Sequence, residues 1–316
     1  MAGRIVIGTS SWADPGFIAE WYPPGLPARE RLAWYAQRFE GVEVNATAYA
    51  IPAPDTVERW AEETPQTFTF DVKLHRLLSR HAVEPESLPT DMRDGIELTT
   101  RGRVVLSAEL EAAVARRTLD ALDPLVRCGK LSTLLLQLSP AFKPRAHSLD
   151  ELSAVLEAVA PHPVAIEFRH RGWVDERRLP DTLGWLESHA AIFVGVDAPQ
   201  GKSPTMMPPV DAVTHPRFAY LRAHGRNADG YLRGRTVAER FAWKYSDDEL
   251  REIGDRARRL AEDVPFVRVM LNNNRGADAP HSARRLRELL GQVPPGGEEG
   301  EQLALRDAAE AKRARA

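Results

Sequence analysis

The sequence predicts an α/β protein of the TIM type, a single-domain (β/α)8 parallel barrel with long βα loops. Three observations carry that expectation. Eight short β-type runs recur along the chain, helical patterns follow all but one of them, and the glycine pattern of a doubly wound nucleotide fold is missing. A doubly wound sheet usually carries G-x-G-x-x-G after its first strand; here that turn reads Gly8-Thr9-Ser10-Ser11-Trp12. No composition break divides residues 1–293, and a Pro/Gly-punctuated, charged tail at 294–316 has Leu303 and Leu305 as its only large aliphatics.

In order, strands are expected at 4–8, 41–45, 67–73, 131–138, 163–169, 191–197, 218–224 and 266–272, and helices at 29–39, 54–63, 107–127, 149–159, 176–189, 246–262 and 282–290. The stretch after Asp197 lacks a helical pattern. Two helix starts show a capping box, Ser148-Leu149-Asp150-Glu151 and Ser246-Asp247-Asp248-Glu249, with acids at the positive end of the helix dipole.

The strands separate by parity. The second sets Val42 and Val44 against Glu43 and Asn45; the third sets Phe68, Phe70 and Val72 against Thr69, Asp71 and Lys73. The fourth sets Leu134, Leu136 and Leu138 against Leu135, Gln137 and Ser139, and the fifth sets Val164, Ile166 and Phe168 against Ala165, Glu167 and Arg169. The sixth sets Ile192, Val194 and Val196 against Phe193, Gly195 and Asp197. The seventh sets Ala219, Leu221 and Ala223 against Tyr220, Arg222 and His224, and the eighth sets Val267, Val269 and Leu271 against Met270, Asn272 and Asn274. In a barrel the purely apolar face should pack on the helices, and the face turning polar toward the strand's end should point inward at the catalytic mouth. Charge deeper in the barrel would be costly to bury. The rule gathers Glu43, Asn45, Asp71, Lys73, Gln137, Ser139, Glu167, Arg169, Asp197, Arg222, His224 and Asn272 at one end.

Composition bounds the function. The 316 residues hold 45 acidic and 42 basic side chains, a formal charge of −3, with a pI near 6.3 and a mean hydropathy of −0.37. That balance argues against a surface built wholly for nucleic acid or anionic membrane. No apolar run approaches the ~18 residues of a membrane helix. Met1-Ala2-Gly3-Arg4-Ile5 runs directly into a strand pattern, so a soluble cytoplasmic protein without a signal peptide is expected. A single cysteine, Cys128, permits neither an intrachain disulfide nor a thiolate metal cluster.

The motifs also resemble a known family. Gly8-Thr9-Ser10-Ser11-Trp12, Trp21-Tyr22-Pro23, Val42-Glu43-Val44-Asn45, Trp60 with Pro65, and Phe68-Thr69-Phe70-Asp71-Val72-Lys73 are similar to the DUF72 (YecE-like) family. So are Leu136-Gln137-Leu138-Ser139-Pro140, Glu167-Phe168-Arg169-His170 with Trp173, Tyr220-Leu221-Arg222-Ala223-His224-Gly225, Tyr245-Ser246 with Glu249-Leu250, and Asn272-Asn273-Asn274. The resemblance spans residues 4–290 and implies a TIM-type barrel without implying a reaction. The chain departs from the pattern at Ser11, at Ala13-Asp14 and at Ser282, all in loops at the mouth.

Among the gathered residues, His224 is the general acid–base candidate, with Glu167 or Glu43 as its partner in proton transfer. Arg169 and Arg222 are planar forks suited to a carboxylate or phosphate, unless each is spent on Glu167 and Glu43. Lys73 is a candidate base, anion contact or Schiff-base amine; the last ranks lowest because Asp71 and Glu43 would raise its pKa. Asn45, Asp71, Gln137, Asp197, Asn272 and Asn274 are candidate substrate contacts, and Trp12 and Trp173, with Trp21 and Trp243, are candidate stacking surfaces. A hard cation, magnesium or manganese, could draw on Glu43, Glu167, Asp197 and Asn272, although Lys73, Arg169 and Arg222 would repel it. The long loops 74–106, 198–216 and 226–244 are candidate lids, the first bearing His75, Arg76, Arg80 and His81. The alternative to a functional site is an ion-pair network that holds the barrel top together.

Three function classes follow. The first is a TIM-barrel enzyme acting on a small anionic, phosphate-containing substrate by acid–base chemistry, phosphoester hydrolysis foremost. The second is a non-catalytic barrel binding a nucleotide or single-stranded nucleic-acid fragment. The third is a divalent-metal-dependent sugar-type isomerase or lyase. Oligomeric state is not legible in the sequence.

Overall fold

The computed structural model describes residues 2–297, so residues 298–316, with Leu303, Leu305 and most of the charged tail, lie outside the described residues. Eight parallel strands form the barrel: β1 (Arg4–Thr9), β2 (Gly41–Val44), β3 (Thr69–Lys73), β4 (Leu131–Gln137), β5 (Val164–Glu167), β6 (Ile192–Asp197), β7 (Phe218–Ala223) and β8 (Phe266–Leu271). They are hydrogen-bonded in the order β1-β8-β7-β6-β5-β4-β3-β2. Each expected strand is present; β1 runs one residue further, to Thr9, and the other seven are one or two residues shorter at one end or both.

Ten α-helices are described: α1 (Pro15–Glu20), α2 (Arg31–Ala36), α3 (Pro54–Glu62), α4 (Ala108–Arg127), α5 (Ser153–Ala158), α6 (Leu179–Ser188), α7 (Ala228–Arg233), α8 (Val237–Arg240), α9 (Asp247–Asp263) and α10 (Asp278–Leu289). Both capping boxes form, at Ser148 ahead of a 3-10 turn leading into α5 and at Ser246 ahead of α9. Helix α6 starts later than expected, at Leu179, because Pro180 is tolerated only in a first turn. The sequence missed α1, whose start is fixed by Pro15 and by the Asp14 carboxylate accepting from Gly16 N at 2.9 Å. It also missed α7 and α8, which lie in the predicted loop 226–244.

The barrel closes between β1 and β2 without a ladder. Gly8 and Gly41 bring the two backbones so close that a Cβ on Gly8 would sit 2.2 Å from the Gly41 carbonyl. The buried Tyr35 hydroxyl bridges the gap, accepting from Thr9 N at 2.9 Å and donating to the Gly41 carbonyl at 3.2 Å. One phenol thus satisfies backbone groups that a ladder would otherwise pair.

Register assigns the faces, because partners in a parallel ladder point to the same side. Glu43 pairs with Asp71, Asp71 with Thr133, Gln137 with Glu167, and Arg222 with Met270, as parity predicts. Strand β6 overturns the apolar-out rule. Val194 and Val196 pair with the inward Tyr220 and Arg222, whereas Gly195 and Asp197 pair with the outward Leu221 and Ala223. Asp197 therefore faces outward, where Arg226 Nη2 reaches it at 2.7 Å and Tyr245 Oη at 2.7 Å. The rule fails there because the layer outside β6 supplies its own charged and polar partners from Arg226, Tyr245 and Arg256 on α9.

Candidate active site

Two tiers of charge occupy the barrel interior. Of the deeper one, sequence reasoning missed Arg268 and placed Asp71 at the mouth. Arg268 on β8 donates through Nε and Nη2 to Asp71 Oδ2 at 2.9 and 2.5 Å, and Thr133 donates to Asp71 Oδ1 at 2.8 Å. Arg268 shares inward parity with Met270 and Asn272, so the signal existed; it lies too far from the strand end for the mouth rule to select it. Asp71 is fully enclosed, and burial pushes its carboxyl up against the pull of Arg268. It is a partner of Arg268 and does not reach the mouth surface.

The upper tier is a fully buried Glu43–Arg222–Glu167 triad. Arg222 donates through Nε and Nη2 to the two oxygens of Glu43 at 2.9 and 2.5 Å, and through Nη1 to Glu167 Oε2. Tyr220 Oη donates to Glu43 Oε2 at 2.9 Å. Arg222 is thus spent on the two carboxylates and is not open to a ligand.

Around Glu167 the network turns toward solvent. Its Oε1 accepts from Gln137 Nε2 at 2.9 Å, from His224 Nε2 at 3.1 Å and from Arg169 Nη1 at 3.2 Å. Burial alone would raise this carboxyl, but Arg222, His224 and Arg169 together outweigh it and hold the group well below the ordinary carboxylate range. His224 Nδ1 faces Asn272 Nδ2 at 2.9 Å, and Asn274 Nδ2 donates to Asn272 Oδ1 at 3.2 Å. With the Asn272 amide donating, the imidazole carries its proton on Nε2, toward Glu167. Burial lowers the His224 pKa against the pull of Glu167, which favours the neutral ring.

Lys73 corrects an expectation. Its Nζ donates to Gln137 Oε1 at 2.7 Å. Burial, reinforced by Arg222, brings its pKa down to about 8 despite Glu43 and Glu167. The acids expected to raise it are already committed, Glu43 to Arg222 and Asp71 to Arg268. At the seam, Asn45 Nδ2 donates to Ser10 O at 2.9 Å, leaving Asn45 Oδ1, Ser10 Oγ and Asn274 Oδ1 buried without a partner.

A narrow recess lies against this network. Glu167, Arg169 and His224 form its polar side, and its walls include Val196, Met206, Met207, Tyr231 and Phe241. Most of the wall comes from the loops after β6 and β7, which sequence reasoning named as lids; it picked Trp243 from them, which is not among the lining residues, and missed Met206, Met207, Tyr231 and Phe241.

The tryptophans do not serve it. Trp173 is buried, donates to Phe142 O at 2.8 Å and stacks on Phe142 at 5.3 Å between ring centroids. Trp12 packs edge-on against Trp60, and Trp21 packs against Trp34 and Phe39. In the loop after β3, Arg80 is paired with Glu111 and His75 is buried against Ser87 O. Two departures from the family pattern have local roles, Asp14 as the cap of α1 and Ser282 Oγ as an acceptor for Asn273 Nδ2 at 3.3 Å. Among the described residues, no group of three or more His, Cys, Asp or Glu side chains is placed to hold a metal. Glu43 and Glu167 are saturated by Arg222 and its neighbours, and Asp197 faces away, so the donor set considered for magnesium or manganese is not assembled. No described helix is long and apolar enough to cross a membrane.

Fold and site together define a TIM-like barrel with a charged interior and a narrow pocket at the C-terminal ends of its strands. The family model described as "Protein of unknown function DUF72" matches residues 6–302, and the chain belongs to that family. It is 28% identical over 293 residues to UPF0759 protein YunF of Bacillus subtilis (strain 168), covering 90% of this chain and 94% of that one. It is 37% identical over 78 residues to UPF0759 protein YecE of Escherichia coli (strain K12), 25% of this chain and 26% of that one. Among solved structures, a DUF72 family protein from Thermotoga maritima MSB8 superposes with a TM-score of 0.72 at 25% identity, covering 92% of this chain and all of that one. Another from Enterococcus faecalis V583 gives 0.74 at 22% identity, covering 92% and 96%.

Proposed function

We propose that the mouth binds a small anionic substrate through Arg169 and moves a proton through His224. The observation that carries this reading is that both side chains line one pocket while Arg169 gives only Nη1 to Glu167, leaving the rest of its fork for a ligand. Charge supports it. Lys73, Arg169, Arg222 and Arg268 face Glu43, Asp71 and Glu167, one positive charge in excess in an interior where water screens little.

Glu167 would orient the imidazole. It holds the Nε2 proton and would stabilise the imidazolium formed when Nδ1 takes a proton from a substrate group that displaces the Asn272 amide. Glu43 and Arg222 position Glu167 from behind. Phosphoester hydrolysis, the class foremost in the sequence, would have to draw its water-activating base from His224, because both mouth carboxylates are already saturated with donors. Proton transfer on an anion-bearing substrate is the chemistry this arrangement supports best.

Calorimetric titration with inorganic phosphate and with a phosphomonoester tests the reading. Both should bind, and Arg169→Gln should weaken both at least tenfold, about 1.4 kcal/mol. Failure of the wild-type protein to bind either anion would overturn it.

A further inference from the structure

We propose that Lys73 is a covalent nucleophile of this mouth, forming an imine with the carbonyl carbon of an anionic aldehyde or ketone. The proposal rests on the anion-binding reading for the charge of the substrate and on Lys73 alone for the covalent step.

Lys73 ends β3 on the inward face and has, among the described residues, no carboxylate within ion-pair distance. Its one hydrogen-bond partner is a neutral amide oxygen, Gln137 Oε1. Lys130 shows the contrast. Its ammonium is seated on Ala61 O, Thr64 O and Thr64 Oγ1, an arrangement that spends all three donors on structure. Lys73 spends one. The charged groups around it are Arg222, Arg169, Glu43 and Glu167, and both acids are held by Arg222. An amine so placed is lowered to about 8, so about a tenth of it is neutral at pH 7. Gln137 also joins it to the proton-transfer pair, since its Nε2 donates to the Glu167 oxygen that accepts from His224.

The step balances without an oxidant or reductant. The Nζ lone pair forms the C–N bond while the carbonyl π electrons move to oxygen. Both amine protons leave with that oxygen as water, giving the imine. Protonated, the imine draws electrons from an adjacent C–H or C–C bond, with His224 placed to take a released proton. Return of the electrons to a proton and addition of water restore the amine and a carbonyl product.

The test is borohydride reduction of the full-length protein with pyruvate, with dihydroxyacetone phosphate and with neutral butanone, followed by peptide mass mapping. Lys73 should gain the reduced adduct of the two anionic probes at least tenfold faster than the exposed Lys143, Lys202 and Lys244. Arg169→Gln should slow labelling by the two anions more than labelling by butanone, which it affects only through the Lys73 pKa. Lys73→Arg, checked for folding by circular dichroism, should lose the fast adduct. If Lys73 labels equally fast with butanone and the anions, the covalent role stands and the anion-binding reading falls. If Lys73 labels no faster than the exposed lysines with any probe, the inference is overturned even where phosphate binds.

Discussion

Arg222 meets Glu43 as a two-pronged pair, Nε to Oε2 at 2.9 Å and Nη2 to Oε1 at 2.5 Å, with both side chains enclosed by the barrel. Such a pair holds geometry more than it adds net stability, because desolvation offsets most of the attraction. Removing one partner is different. Glu43→Ala would leave Arg222 half-unpaired in the interior and should cost about 3–5 kcal/mol. At about 2–4 °C per kcal/mol the melting temperature should fall by roughly 10 °C. Differential scanning calorimetry checks this, and a fall within about 2 °C would show that water reaches Arg222.

The seam between β1 and β2 makes a separate prediction. Tyr35→Phe removes only the hydroxyl that bridges Thr9 N and the Gly41 carbonyl, leaving buried backbone groups unpaired. A loss of about 1–3 kcal/mol is expected in urea unfolding. The Thr9 amide should also exchange with deuterium faster than its β1 neighbours.

Acid should weaken the fold partly through Glu167. Its folded pKa lies below the unfolded value of about 4.3, so the unfolded chain takes up the proton first as pH falls. The stabilisation is therefore whole above roughly pH 5 and is lost as pH drops from there through the folded pKa. Glu167→Gln should flatten the stability–pH slope below pH 5 by up to about 1.4 kcal/mol per pH unit, read from urea midpoints. An unchanged slope would mean that Glu167 is not held as a carboxylate.

Trp173 divides a packing role from a stacking one. Trp173→Ala should destabilise by about 3–5 kcal/mol, since it empties the space beside Phe142 and Phe168. Phosphate affinity should stay within about twofold, measured below the variant's unfolding range.

The barrel was legible because alternation of apolar and polar residues is a local pattern, and β2, β3, β4, β5 and β7 follow it. So was the company of Glu43, Glu167, Arg222 and His224, whose strand-end positions converge in any eight-stranded barrel. What parity could not give was partnership. Asp197 looked like a mouth acid until Arg226 and Arg256, 29 and 59 positions away, drew it outward. Arg268 was passed over because burying a charge deep in a barrel is costly, and Asp71 offsets that cost from the far side of the interior. Lys73 was expected to have a raised pKa beside two acids, which holds only if those acids are free. The pocket walls from Met206, Met207, Tyr231 and Phe241 sit on long loops with no periodicity to read.

The central claim is that an anion held by Arg169 sits beside His224, and NMR of the histidine rings tests it most directly. Phosphate should shift the His224 ring signals and raise its pKa in the wild-type protein, because a bound anion favours the imidazolium, and should do neither in Arg169→Gln. Phosphate that binds while leaving the His224 signals and pKa unmoved would contradict the account.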